Sequence, residues 1–210
     1  QVPQQWTDKY KGKFDDGWDQ YRERVFKRAK AQGWIPQTAQ LTPRPATLSA
    51  WDSIPEDQKP FQRRLMEVYA GFVEHADYYA GQVIDEIAAE GKLNNTLIFY
   101  IWGDNGASAE GQSGTISELL AQNGIPSTTE QHIKALNELG GLKVLGSPKT
   151  DNMYHAGWAW AGGTPYKSTK LVAAHFGCLK SAVSIKSGAN GRMKWLRVDL
   201  ENGRRRNLSS

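Results

Sequence analysis

The chain has 210 residues, a formal net charge of +4, 21 glycines, eight tryptophans and a single cysteine. That length holds one sizeable domain or two small ones. The lone Cys178 excludes an internal disulfide and a cysteine-built zinc cluster, and the absence of any run of 18 apolar residues excludes a membrane-spanning helix.

The chain opens on QVPQQWTDKY, with no initiator methionine and no signal peptide, and reads as the continuation of something upstream. Localisation is not legible from this N-terminus, a bacterial-type cytoplasm or periplasm being the first expectation. Trp18, Tyr21, Val25 and Phe26 recur at helical spacing and predict a helix over Asp16–Ala31, stopped at Gly33. Pro36, Pro43 and Pro45 exclude long regular elements after it. Ser53 and Glu56 have capping-box spacing, and Asp57 or Pro60 can start a helical turn. From Leu65 to Ile87 the apolar residues fall on one helical face, and Gly91 ends the run.

Leu97–Trp102 is apolar without alternation, the pattern of a strand buried on both faces in a parallel sheet. The sequence then predicts a glycine-rich loop over Ala107–Thr115, a short helix over Ile116–Asn123 and a helix over Thr128–Leu139, capped by Ser127 or Thr128. Residues 142–166 read as irregular, and Ser168–Phe176 as another short helix. Helix, loop, buried strand and glycine-rich loop make an α/β unit, in which ligands gather beyond the carboxyl ends of the strands. Beyond residue 177, eight Lys/Arg stand against two Asp/Glu, while the preceding body has eighteen against twenty. The basic tail, including Arg204-Arg205-Arg206, reads as a solvated end rather than a nucleic-acid surface.

Asp104-Asn105, in GDNG, supplies a carboxylate and an amide oxygen, hard ligands suited to Ca²⁺ or Mg²⁺. D-N-G is equally good hairpin chemistry, and local sequence leaves the two readings balanced. Asp15-Asp16 reads as acids favoured by a helix dipole rather than as a metal pair. His75 reads as surface or structural, His132 as lying on an exposed helical stretch without a chemical role, and His155 and His175 stay open. Lys170, in TPYKSTK, can neutralise an anion as a compact charge. Neither a G-x-S-x-G elbow nor a P-loop occurs.

Four strings in order, WTDKYKGKFDDGWDQYRE, MEVYAGFVEHAD, NNTLIFYIWGDNGASAEG and GWAWAGGTPYKSTKLVAAHFG, resemble the central part of an arylsulfatase-type sulfatase of the alkaline phosphatase-like superfamily. The resemblance covers residues 1–177 and leaves 178–210 as a divergent, aberrant or disordered basic tail. It implies part of an α/β sandwich: a mixed, mostly parallel sheet flanked by helices. It also implies hydrolysis of a small-molecule sulfate ester at a divalent metal, Ca²⁺ first and Mg²⁺ second, with a formylglycine nucleophile. By the matching motifs, Asp104 and Asn105 bind the metal and Lys170 contacts the sulfate.

The C/S-x-P-x-R precursor of formylglycine is absent, and Leu-Lys-Ser-Ala follows Cys178. The chain is accordingly expected to supply part of a metal site and to be inactive alone. Two rivals belong to other classes: a phosphodiesterase or phosphonate hydrolase of the same superfamily, and a non-catalytic binding module that retains the fold. The oligomeric state is not legible.

Overall fold

The computed structural model describes residues 1–101 and 106–170 with their side chains, and the backbone of 183–187 and 194–198. Six helices run in chain order: α1 (Gln4–Asp8), α2 (Gly17–Ala31), α3 (Lys59–Ala89), α4 (Glu118–Gln122), α5 (Thr129–Leu139) and α6 (Ala156–Gly162). Strands β1 (Val183–Ser187) and β2 (Lys194–Val198) form an antiparallel pair, with Val183 opposite Val198 and Ser187 opposite Lys194.

This architecture corrects the expected α/β sandwich. The described chain is predominantly helical and contains no mixed or parallel sheet. Residues 97–101, expected to form a buried strand, have no regular structure. Leu97 is 80 % exposed and Ile101 86 %. A strand exists only where neighbouring backbone satisfies its N–H and C=O groups, and no described strand lies beside this segment. Its apolar run is suited to cover on both faces, and the described chain does not provide that cover.

The helices follow their sequence signals closely. α2 begins at Gly17, whose φ of +74° suits glycine. α3 begins one residue before Pro60, a residue whose missing N–H costs nothing in a first turn, and ends before Gly91 at φ +69°. The expected capping box at Ser53 does not form. Ser53 lies in a 3₁₀ turn, Trp51–Ser53, and its hydroxyl donates to the Ala50 carbonyl at 2.7 Å. The box forms instead on α5, where the Thr128 hydroxyl accepts from the Gln131 N–H and the Gln131 side chain accepts from the Thr128 N–H.

The interior divides into two clusters on opposite sides of α3. Phe61, Leu65 and Val68 of α3 pack with Val2, Trp6, Leu136, Val144 and Leu145. Met66 turns the other way, into an aromatic cluster of Phe14, Trp18, Trp51, Trp158 and Trp160. Only the first half of α3 is covered in this manner. Phe72, Tyr79 and Val83, expected on the buried face, are 46 %, 54 % and 62 % exposed. α6 falls inside the stretch read as irregular. It is apolar all round, as a fully buried helix is, and its two tryptophans lie in the aromatic cluster.

α1 is anchored on α3 by a buried ion-pair network. Arg64 donates to Asp8 at 3.0 Å, to Glu67 at 3.0 Å and to the Thr7 hydroxyl at 2.8 Å. The contact is close because Gly71 has no side chain: a Cβ there would lie 2.8 Å from the Thr7 backbone. Gly71→Ala is therefore expected to destabilise the fold by about 1–3 kcal/mol. Gly81→Ala, in the same helix with nothing within 4 Å of its Cβ, is expected to stabilise it by about 0.5–1 kcal/mol through helix propensity. Urea titrations of the two variants check the opposite signs.

Candidate functional site

The segment after GDNG is laid against the segment that carries Lys170. Gly106 has φ +89°, and a Cβ there would lie 3.2 Å from the Lys170 nitrogen. The Lys170 N–H donates to the Ala107 carbonyl at 3.1 Å. Two segments sixty residues apart in sequence are thus joined through backbone. Asp104 and Asn105 themselves lie outside the described residues, as do His175, Cys178 and the part of the expected Ser168–Phe176 helix beyond Lys170; residues 168–170 are not helical.

Lys170 is half-buried, and its ammonium pairs with Glu110 at 3.3 Å. The Ser108 hydroxyl and then the Lys170 ammonium hold the Glu110 carboxyl below its usual range. Glu110, four residues after GDNG, lies inside the NNTLIFYIWGDNGASAEG string but was given no role from sequence, because its partner Lys170 is sixty residues away. A hollow of about 390 Å³ opens nearby, lined by Leu65, Tyr69, Phe72, Ser108, Met153 and Tyr154 among others. Tyr69 and Tyr154 meet edge to face at 4.6 Å, and burial pushes the Tyr154 hydroxyl well above its ordinary value.

The loop 107–115 is fixed from both sides. The Thr115 N–H and carbonyl bond Met153 reciprocally at 3.0 Å, and the Gln112 carbonyl accepts from the Ala156 N–H at 2.7 Å. Gly111 admits no larger residue, since a Cβ there would sit 2.2 Å from the Tyr154 carbonyl oxygen.

Asp-Asn chemistry suits a hard divalent cation, but Ca²⁺ takes about six to eight oxygens. Among the described residues no group of three or more His, Cys, Asp or Glu converges to hold a metal. Glu110 is already engaged by Lys170. The oxygen donors of Asp104 and Asn105 suit such a cation chemically, and two residues are too few to complete its shell. Asp15 and Asp16 face Arg63 and Arg24 respectively, in partly exposed ion pairs that agree with their structural reading.

The segment leading to Lys170 is held by a residue that sequence reasoning missed. Arg22, from α2, is 1 % exposed. Its guanidinium donates to the carbonyls of Trp160 (2.9 Å), Pro165 (3.2 Å) and Tyr166 (2.8 Å), and to the hydroxyls of Thr164 (3.2 Å) and Thr42 (2.8 Å). It also lies 4.3 Å from the Trp160 ring centroid. Burial lowers its pKa to about 10, which still leaves it charged at neutral pH. An arginine in the middle of a polar helical stretch looks like a surface residue, so no sequence signal marked it.

The three described histidines, His75, His132 and His155, make structural contacts. His155 is buried and stacked on Trp18 at 4.4 Å, and its Nδ1 accepts from the Gly157 N–H at 2.9 Å, capping α6. That bond requires an unprotonated Nδ1 and places the ring proton on Nε2. His132, expected on an exposed face, is 5 % exposed. Its Nε2 lies 2.9 Å from the Ser127 hydroxyl, and burial lowers its pKa. His75 packs edge-on against Trp6 at 5.4 Å.

The Sulfatase family profile matches residues 1–159. An uncharacterized sulfatase of Schizosaccharomyces pombe is 31 % identical over 173 residues, covering 81 % of this chain and 29 % of that protein. An arylsulfatase of Klebsiella aerogenes is 29 % identical over 109 residues, covering 51 % of this chain and 23 % of that protein. The chain thus spans less than a third of the length of these two curated relatives.

Burial pushes the His155 pKa down to about 4, below the unfolded value near 6.5. The unfolded chain then binds more protons between these values, so stability is complete above pH 6.5 and falls as pH drops toward 4. Acidification from pH 7 to pH 5 is expected to remove about 2 kcal/mol from this group alone. His155→Asn retains an N-cap acceptor and should flatten that part of the stability–pH curve, as thermal melts at the two pH values check.

Proposed function

The chain belongs to the sulfatase family, and on that premise we propose that it forms part of the catalytic centre of a sulfuric ester hydrolase acting on small-molecule sulfate esters. The observation that carries this reading is the junction of the GDNG and TPYKSTK segments through Lys170 and Ala107. It supports a common role for two strings that are far apart in the chain.

In this reading Asp104 supplies the negative charge and Asn105 a neutral oxygen that hold a divalent cation, Ca²⁺ in the first instance and Mg²⁺ in the second. The cation, when bound, supplies Lewis-acid polarisation of the sulfate oxygens. Lys170 contacts the sulfate and offsets charge that grows on the sulfuryl oxygens toward the transition state. Glu110 orients the lysine in the absence of substrate through their ion pair. Gly106 lets the two segments approach, and the hollow beside Ser108 accommodates the organic part of the ester.

Formylglycine is the nucleophile this family membership suggests. Its C/S-x-P-x-R precursor does not occur in these 210 residues, so the chain alone is proposed to be inactive. Its metal affinity is proposed to be weak, because two oxygen-bearing residues rarely hold a hard cation against water.

At its full natural length, the protein is expected to hydrolyse an aryl sulfate, and Asp104→Ala to lose bound metal and nearly all turnover. Lys170→Ala is expected to lower kcat/KM about a hundredfold or more, the scale for losing a charge-stabilising group. Metal content and initial rates check both variants. Full turnover by Asp104→Ala contradicts the metal role, and hydrolysis by the 210-residue chain contradicts its proposed inactivity.

A further inference from the structure

We propose that Arg22 is a positioning residue for Lys170: its guanidinium fixes residues 164–166 so that the chain delivers the lysine to the 106–107 turn. The functional half of this inference rests on the reading of Lys170 as the sulfate contact.

The pattern of partners carries the inference. Of the five groups that accept from Arg22, four belong to one short segment: the Trp160, Pro165 and Tyr166 carbonyls and the Thr164 hydroxyl. The fifth, the Thr42 hydroxyl, donates in turn to the Pro165 carbonyl at 3.2 Å. None is a carboxylate. A buried cation with neutral acceptors is an expensive way to join two helices, and Nε finds no acceptor among the described residues. α2 and α6 are in any case joined by apolar contact, since Trp18 and Trp158 meet at 5.6 Å.

What the guanidinium adds is direction. Its planar fork addresses several carbonyls at fixed angles, which neither an apolar side chain nor a lysine can do. It takes up the carboxyl-end carbonyl of Trp160, where a cation is favoured, and then the next turn of chain. Four residues further on, the Lys170 N–H is held by Ala107. The lysine-bearing segment is thereby tied at both ends, to α2 at one and to Ala107 at the other.

The test is a double-mutant cycle on the protein at its full natural length, combined with amide hydrogen exchange. Arg22→Lys keeps the charge and removes the fork. It is expected to lower kcat/KM for an aryl sulfate about tenfold or more, and to speed exchange of the Tyr166 and Lys170 amides by a similar factor. The His132 amide in α5 should be unchanged. In a Lys170→Ala background, Arg22→Lys should cost less than about twofold further, because residues acting through one group are not additive. Equal losses in both backgrounds would overturn the proposal and leave Arg22 a structural residue. Unchanged exchange at Tyr166 and Lys170 would overturn the pinning. Normal turnover by Lys170→Ala would overturn the sulfate-contact reading and the functional half of the inference, while exchange decides the pinning. If the Arg22 variants fail to fold, Thr42→Val removes one link of the same clamp. It is expected to speed exchange at Tyr166, and unchanged exchange there would count against the clamp.

Discussion

Trp158 occupies the point where α2, α3 and α6 meet, and the arrangement of the described chain depends on its packing. The side chain is 1 % exposed, and its indole N–H donates to the Gln62 carbonyl of α3 at 3.0 Å. Phe14, Trp18 and Trp51 surround it with ring centroids 5.5–5.7 Å away. Aromatic groups at such separations contribute both burial and orientation. Gly157 makes the approach possible, since a Cβ there would lie 2.4 Å from the Trp18 ring. With α6 seated, its carboxyl end faces Arg22, and the chain beyond it passes back to Gly106 and Ala107. The placement of Lys170 is therefore a consequence of core packing around Trp158.

Apolar exposure has the same origin. The first half of α3 is covered by the chain's own residues on two sides, and the second half is not. Residues 97–101 are likewise uncovered, and the Tyr100 hydroxyl donates to Asp77 of α3 at 3.2 Å. The relatives are more than three times as long as the matched region. An apolar run without alternation has the composition of a strand covered on two faces, but among the described residues no strand pairs with 97–101.

Legibility in the sequence followed the locality of the determinants. α2, α3 and α5 were readable to within a few residues because periodicity, Pro60, Thr128 and Gly91 act locally. The strand expected over Leu97–Trp102 is absent from its described residues 97–101, because a strand is a property of at least two segments and that signal speaks only for one. α6 escaped because AGWAWAG is too short and too uniformly apolar to show a period. His132 was misread for want of its partner Ser127, whose hydroxyl meets the ring only once α5 is folded. On the site, no local signal announced the backbone junction of Gly106–Ala107 with Lys170. Arg22 and Glu110 were invisible, since each acts through a contact with distant chain: Arg22 with Trp160–Tyr166, and Glu110 with Lys170.

The central claim is that Lys170 meets a sulfate group beside the GDNG loop. The most direct measurement is acylation of Lys170 in the natural-length protein by an amine-selective reagent, followed by peptide mass spectrometry with and without inorganic sulfate. The account predicts that sulfate slows labelling of Lys170 markedly while leaving the exposed neighbour Lys167 unaffected. Equal labelling of Lys170 in the presence and absence of saturating sulfate would contradict it.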